Sequence, residues 1–264
     1  MLVEQTMNIN INAMSYPDFL GFLGVDNTPP GGIFTLDYWI EKSSINADSH
    51  LLDLACSTGF SARNIVNKTG CHATGVDISA RSIEAASQIS IQNNLSERVN
   101  FFLGNAESLS LADDCFSHIT AGCCFGFFSN KKAALREAKR VLKKDGYLCI
   151  SSFYYDSKPD DEILSLVEKY IGFRPDVIWD YNYWVNFFSE EFLIVHEELF
   201  DLPVYSEDEI EENVNRSVCE RPAFKFLSQE QQQVAFDRYF DTRLILNEHA
   251  KYQSVALWVM RVNK

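Results

Sequence analysis

Between His50 and Ser152 the sequence alternates short apolar runs with helix-period stretches, and turn residues mark each change. Successive strand–helix units of this kind close most simply into a mainly parallel sheet with helices packed on its faces. The apolar runs predict strands at 50–55, 72–77, 99–103, 116–124 and 146–153. Helices are expected near 59–69, 80–94 and 130–143, the last with Ala134, Leu135, Ala138, Val141 and Leu142 on one face. Asp145-Gly146 reads as the turn into the fifth strand.

Phe192–Leu202 and Gln253–Val262 also read as strands, separated by acidic, helix-prone sequence. If they pair as adjacent antiparallel strands closing the sheet, the intervening segment is an excursion from the sheet edge and not a hairpin turn. A second excursion leaves after the fifth strand, over about 156–188. Ahead of the first strand, Thr28-Pro29-Pro30-Gly31-Gly32 forms a rigid turn that leads into a helix beginning near Phe34.

At 264 residues, with 46% apolar and 23% charged side chains, the chain can bury one large α/β core with a modest insertion. Disorder, collagen and a disulfide-stapled miniprotein are excluded. No run approaches the roughly 18 apolar residues of a membrane helix, and MLVEQTMNIN lacks the basic start and apolar core of a signal peptide. The seven cysteines include no CxxC pair, which predicts reduced thiols, no metal site and a cytoplasmic location. A net charge of −14, with its densest run at Glu207-Asp208-Glu209-Ile210-Glu211-Glu212, repels a phosphate backbone, so neither nucleic acid nor membrane is an expected partner.

The segment Leu51-Leu52-Asp53-Leu54-Ala55-Cys56-Ser57-Thr58-Gly59-Phe60 delivers an acid at a strand end, then small residues, then a helix whose free N–H groups can face a ligand. Further on, Gly75-Val76-Asp77-Ile78-Ser79 ends the second strand with a carboxylate able to accept both hydroxyl protons of a ribose. A nicotinamide-binding Rossmann domain would also use a glycine-rich turn followed by an acid. These segments, with Gly104-Asn105-Ala106-Glu107-Ser108-Leu109 and Arg136 to Gly146, resemble the class I S-adenosylmethionine-dependent methyltransferases over about 50–153 and the terminal strands. The chain departs from the family's acid–x–Gly–x–Gly–x–Gly pattern by carrying Ala55 and Ser57 at two glycine positions; Gly59 remains.

The resemblance implies a Rossmann-like doubly wound seven-stranded sheet in the order 3-2-1-4-5-7-6, with the last strand antiparallel and helical lid insertions. It implies that S-adenosyl-L-methionine is held by Asp53, Ala55, Cys56, Ser57, Gly59, Asp77, Ile78, Asn105, Ala106, Glu107 and Cys123. Residues 1–46 then form an N-terminal helical cap, 47–155 the cofactor-binding core, 156–190 and 204–250 the lid, and 191–203 with 251–264 the terminal strands. The Asn/Asp-Pro-Pro-Tyr/Phe signature of amide- and base-methylating enzymes is absent after the fourth strand, where Ala121 to Phe128 stand, so the expected acceptor is a small molecule. Expected acceptor contacts are Tyr16, Tyr154, Tyr183 and Trp184, the last two within the aromatic run Trp179 to Phe188, which is either a packed helix or a pocket wall. Aromatic faces near acids would suit a cationic amine, with transfer to nitrogen or oxygen. His50, His72 and His118 fall near strand starts, away from such a site, and His196 and His249 read as structural. A cofactor-binding relative without catalysis is the alternative, and an NAD-dependent oxidoreductase a more distant one.

Overall fold

The computed structural model describes residues 9–262; residues 1–8 and 263–264, at the ends of the expected cap and last-strand segments, lie outside the described residues. The strands are β1 (His50–Leu54), β2 (His72–Asp77), β3 (Val99–Leu103), β4 (Phe116–Gly122), β5 (Leu142–Tyr155), β6 (Phe192–Asp201) and β7 (Gln253–Val262). They form one sheet in the order β3-β2-β1-β4-β5-β7-β6. Strands β1 to β5 pair parallel, and β7 runs antiparallel to both β5 and β6. Both C-terminal runs are therefore strands, and they pair as the sequence suggested.

The fifth strand differs from its expected boundaries. It begins at Leu142, paired to Phe116, and regular pairing resumes at Tyr147 opposite His118, so Lys143 to Gly146 form a bulge within a continuous strand. A Cβ on Gly146 would lie 2.7 Å from Leu142 Cδ1 and 2.8 Å from the Ser117 carbonyl oxygen, so the bulge admits no side chain there. Strand β4 stops at Gly122, and Cys123 turns away with φ 51°.

The α-helices of eight residues or more are α1 (Tyr16–Leu23), α2 (Ile33–Ser43), α3 (Phe60–Thr69), α4 (Ala80–Gln92), α5 (Lys131–Val141), α6 (Asp161–Ile171), α7 (Tyr181–Ser189), α8 (Glu207–Val214) and α9 (Gln229–Ala250). Side-chain oxygens start several of them by accepting orphan N–H groups: Ser79 from Ser82, Asn130 from Ala133 and Asp180 from Tyr183. Full capping boxes, Ser206 with Glu209 and Ser228 with Gln231, start α8 and α9. A π-helical turn, Asn215–Cys219, follows α8.

Period-two alternation splits the sheet's side chains between two cores. Leu52, Leu54, Leu148, Ile150, Ala256 and Trp258 pack with α5 and α7 on one face. Leu51, Ala73, Cys149, Val255 and Leu257 pack with α2 and α3 on the other. A third core joins segments far apart in sequence: Phe19, Leu20 and Leu23 of α1 meet Ile210, Val214, Val218, Phe224 and Tyr239. Gly21 lets α1 approach α4, since a Cβ there would lie 2.4 Å from the Ser82 amide nitrogen. Through these contacts α1, α8 and α9 stand over the C-terminal ends of the strands. Among the described residues, no helix is long and apolar enough to cross a membrane.

Candidate active site

The first strand end is organised around a buried acid. Asp53, 3% exposed, accepts from the Thr120 hydroxyl at 2.8 Å and from the Ala62 N–H at 3.3 Å, so it ties β1 to β4 and to the first turn of α3. Burial pushes its carboxyl up to about 7 against those two hydrogen bonds. The loop beyond it places every second residue in the left-handed region: Ala55 at φ 51°, Ser57 at 48° and Gly59 at 79°. Ala55 and Ser57 thus keep a backbone that glycine would adopt without strain, and their small side chains leave the strand end open. Because a left-handed L-residue costs about 1–2 kcal/mol and glycine loses about 0.5–1 in chain entropy, Ala55→Gly should stabilise the protein by up to about 1 kcal/mol in denaturant unfolding. A clear loss of stability would contradict this reading of the loop.

Asp77 closes the second strand end. Its two carboxylate oxygens accept the N–H groups of Ser57 at 2.9 Å and Ser79 at 2.8 Å, which couples the two strand-end loops. Burial raises its carboxyl above the usual range, and these bonds oppose the rise. Ile78, 70% exposed, offers an apolar face beside it. At the third strand end Asn105 accepts the Glu107 N–H at 2.9 Å, and Glu107 accepts the Asn130 N–H at 3.0 Å, which fixes that turn against α5. Ala106 is buried between them.

A cavity of about 1090 Å³ opens beside these loops, and Asp53, Ala55, Cys56, Ser57 and Cys123 lie on its strand-end side. The Asn27 to Gly32 turn, Phe173, Trp179 and residues of α8 and α9 complete it. Of the expected acceptor contacts, Tyr16 and Trp184 line it; Tyr154 and Tyr183 do not. Tyr154 packs edge-on against Tyr181 at 5.6 Å, and Tyr183 stacks over Phe187 at 6.4 Å. Alternation along β5 sends Tyr155 to the cavity in place of Tyr154. Asp77, Ile78, Gly59 and the 105–107 turn lie outside the cavity lining, at or beside the ends of β1, β2 and β3.

His249, read from the sequence as structural, lines the cavity with its Nε2 2.7 Å from the Tyr155 hydroxyl. Burial lowers its imidazole to about 4 and raises the Tyr155 phenol, so at neutral pH both are uncharged. The folded state therefore resists a proton that the unfolded chain takes up near 6.5, and this contribution to stability is lost as pH falls from about 6.5 to about 4. Asp53 acts in the opposite sense, so the difference between variant and parent is informative. The gap in thermal stability between the parent and His249→Gln should narrow steadily from pH 7 to pH 4.5; a constant gap would contradict it.

The thiols are poor nucleophiles: burial pushes Cys123 up to about 12 and holds Cys56 and Cys124 well above the usual range. Among the described residues no group of three His, Cys, Asp or Glu side chains is placed to hold a metal ion. The sequence pattern of a family described as "Methyltransferase domain" matches residues 45–186, more than half of the chain. The chain belongs to this methyltransferase family. Its fold is that of the class I S-adenosylmethionine-dependent members.

Among solved structures, this methyltransferase-family chain is 38% identical to MccD protein, with a TM-score of 0.75 over 90% of this chain and 100% of that one. It is 30% identical over 130 residues to methyltransferase GfsG of Streptomyces halstedii, covering 49% of this chain and 47% of the relative. A phosphoethanolamine-type N-methyltransferase of Haemonchus contortus, solved with phosphomonomethylethanolamine and S-adenosylhomocysteine, shares the fold with a TM-score of 0.70 at 13% identity, over 94% of this chain and 56% of that one. Matches to curated relatives span about half to three fifths of those proteins' lengths, 47–62%.

Proposed function

We propose that the protein transfers a methyl group from S-adenosyl-L-methionine to nitrogen or oxygen of a small-molecule acceptor. The observation that carries this reading is the continuity of one cavity from the Ala55–Ser57 loop and Cys123 to the walls formed by α8, α9 and Trp179. A donor held on the first side faces an acceptor held on the second.

The residues present fit the donor. Asp77 keeps lone-pair capacity beyond the backbone N–H groups of Ser57, Ile78 and Ser79 that face it, and the exposed face of Ile78 lies next to it, which suits a ribose and an adenine ring. Ser57 carries a buried hydroxyl with no partner among the described residues, a group that an incoming polar ligand atom would satisfy. When bound, S-adenosylmethionine supplies an activated methyl group on a sulfonium. Ala55, Ser57 and Asp53 hold the loop that would carry its methionine portion, and Asn105 to Glu107 form the turn next to Asp77. Tyr155, fixed by His249, and the Pro29–Gly32 turn wall the acceptor side and exclude water.

A cationic acceptor finds less support in this wall than the sequence suggested. The face of Trp179 already receives the Lys131 ammonium, 4.7 Å from its ring centre, and Trp184 is packed against Phe187 and Phe188. With methyl-labelled donor and a broad panel of amines, phenols and carboxylates, the protein should label at least one acceptor and release an equal amount of S-adenosylhomocysteine. Tight S-adenosylhomocysteine binding without transfer to any member of an exhaustive metabolite panel would favour the binding-only alternative. Trp179→Ala should raise acceptor KM at least fivefold and leave donor affinity within about twofold, a difference of about 0.4 kcal/mol.

A further inference from the structure

On its acceptor side the cavity sets two arginines, Arg221 and Arg243, against one acid, Asp26, in an otherwise acidic chain. Its lining carries Asp26, Arg221 and Arg243, beyond the Asp53 that organises the strand ends. Asp26 serves two guanidiniums at once, Arg63 at 2.7 Å and Arg221 at 3.1 Å, so that cluster holds one positive charge in excess. Arg243 makes no ion pair with any of the described residues; it is half-buried between this cavity and a smaller one lined by Glu209, Glu212 and Arg216. Tyr239 lies within electrostatic reach of both Arg221 and Arg243, which places the two cations around one region of the wall.

The backbone is arranged to present one of them. The π-helical turn after α8 brings the Ser217 carbonyl to the Arg221 Nε at 3.0 Å, and Ser217 and Arg221 both line the cavity. Wide turns of this kind interrupt a helix and recur at functional sites. With a chain net charge of −14, an excess of cations at this wall is not a sample of the general surface.

Resting on the function proposed above, the charge balance extends to the donor. S-adenosylmethionine carries a sulfonium and an ammonium against one carboxylate, so its binding adds positive charge to the same cavity. A cationic acceptor group would then meet like charge on both sides. A guanidinium shielded from water instead pairs strongly with a planar carboxylate or a phosphate, two parallel N–H groups to two oxygens. The remaining wall is aromatic, with Phe173, Trp179, Phe200 and Tyr205, and suits an apolar or planar body. We infer that the acceptor is a small organic anion, its carboxylate or phosphate docked on Arg243 with Arg221 alongside and its apolar body against the aromatic wall.

The test uses the full protein saturated with S-adenosylhomocysteine, and reads tryptophan fluorescence from the cavity at low salt. Phenyl phosphate, benzoate, benzyl alcohol and benzylamine are titrated in parallel. At least one of the two anions should bind tenfold or more tightly than benzyl alcohol, with benzylamine weakest. A preference for phenyl phosphate would assign the anion as phosphate, and the reverse order as carboxylate. Arg243→Gln should cut the anion advantage at least fivefold with S-adenosylhomocysteine affinity unchanged within twofold, and Arg243→Lys should retain most of it. Benzyl alcohol or benzylamine binding as well as both anions to the parent protein, or an anion preference that survives Arg243→Gln, would overturn the inference. The same preference is expected without S-adenosylhomocysteine, so failure of that ligand to bind would count against the proposed function and leave the anion test standing.

Discussion

Gly59→Ala should destabilise the protein by about 2–5 kcal/mol, as the sum of a left-handed backbone cost near 1–2 and a steric term of about 1–3. Gly59 holds φ at 79° as the residue that opens α3, and a Cβ there would lie 2.4 Å from Phe101 Cζ and 2.6 Å from its Cε1. The same ring closes on Gly75, where a Cβ would meet Phe101 Cδ1 at 2.4 Å and Cys56 Sγ at 2.8 Å. Phe101 is thus a wedge between the first two strand ends, and both glycines are required by its packing. Trimming the ring separates the two terms. In a Phe101→Leu background the cost of Gly59→Ala should fall to the backbone part, roughly 1–2 kcal/mol. Denaturant unfolding of the four proteins checks this; a cost under 0.5 kcal/mol for Gly59→Ala in the parent would contradict it.

Asp77→Ala should weaken S-adenosylhomocysteine binding by about 1.5–3 kcal/mol, the scale of hydrogen bonds to a charged group, or on the order of ten- to a hundredfold. The variant also leaves the N–H groups of Ser57 and Ser79 without their acceptor, so a part of the loss comes from the loop and not from the ribose. Asp77→Asn keeps one acceptor oxygen and isolates the charge. It should hold the Ser57 loop better than alanine and still bind more weakly than the parent. Calorimetric titration of the three proteins reads both effects, and parental affinity in Asp77→Ala would remove the ribose assignment.

The sheet was legible because its evidence is local. A run such as Leu51-Leu52-Asp53-Leu54, buried throughout, followed by small residues and a helix, states both a parallel strand and its open end. The distant partners were not. That Gly59 and Gly75 answer to Phe101 depends on β3 lying beside β2, a contact that no spacing between these residues encodes. Tyr154 and Tyr155 alternate faces by rule, yet which face carries the cavity depends on where α9 returns. That helix itself hides its role. Polar residues such as Arg243, Asn247 and His249 face the cavity while Ala235 and Tyr239 pack in the third core, so no single apolar stripe marks it. The bulge of Lys143 to Gly146 reads as a turn because Asp-Gly is turn chemistry, and only pairing to β4 on both sides keeps the strand continuous.

Crystals of the protein grown with S-adenosylhomocysteine test the central claim most directly. The electron density should place the ribose hydroxyls on the Asp77 carboxylate, the adenine next to Ile78 and the 105–107 turn, and the sulfur toward the cavity bordered by Ser57, Cys123 and Tyr155. Density for the ligand anywhere else, or none under saturating conditions while the parallel soak with NAD fills the Asp77 strand end, would contradict a methyl donor at this site.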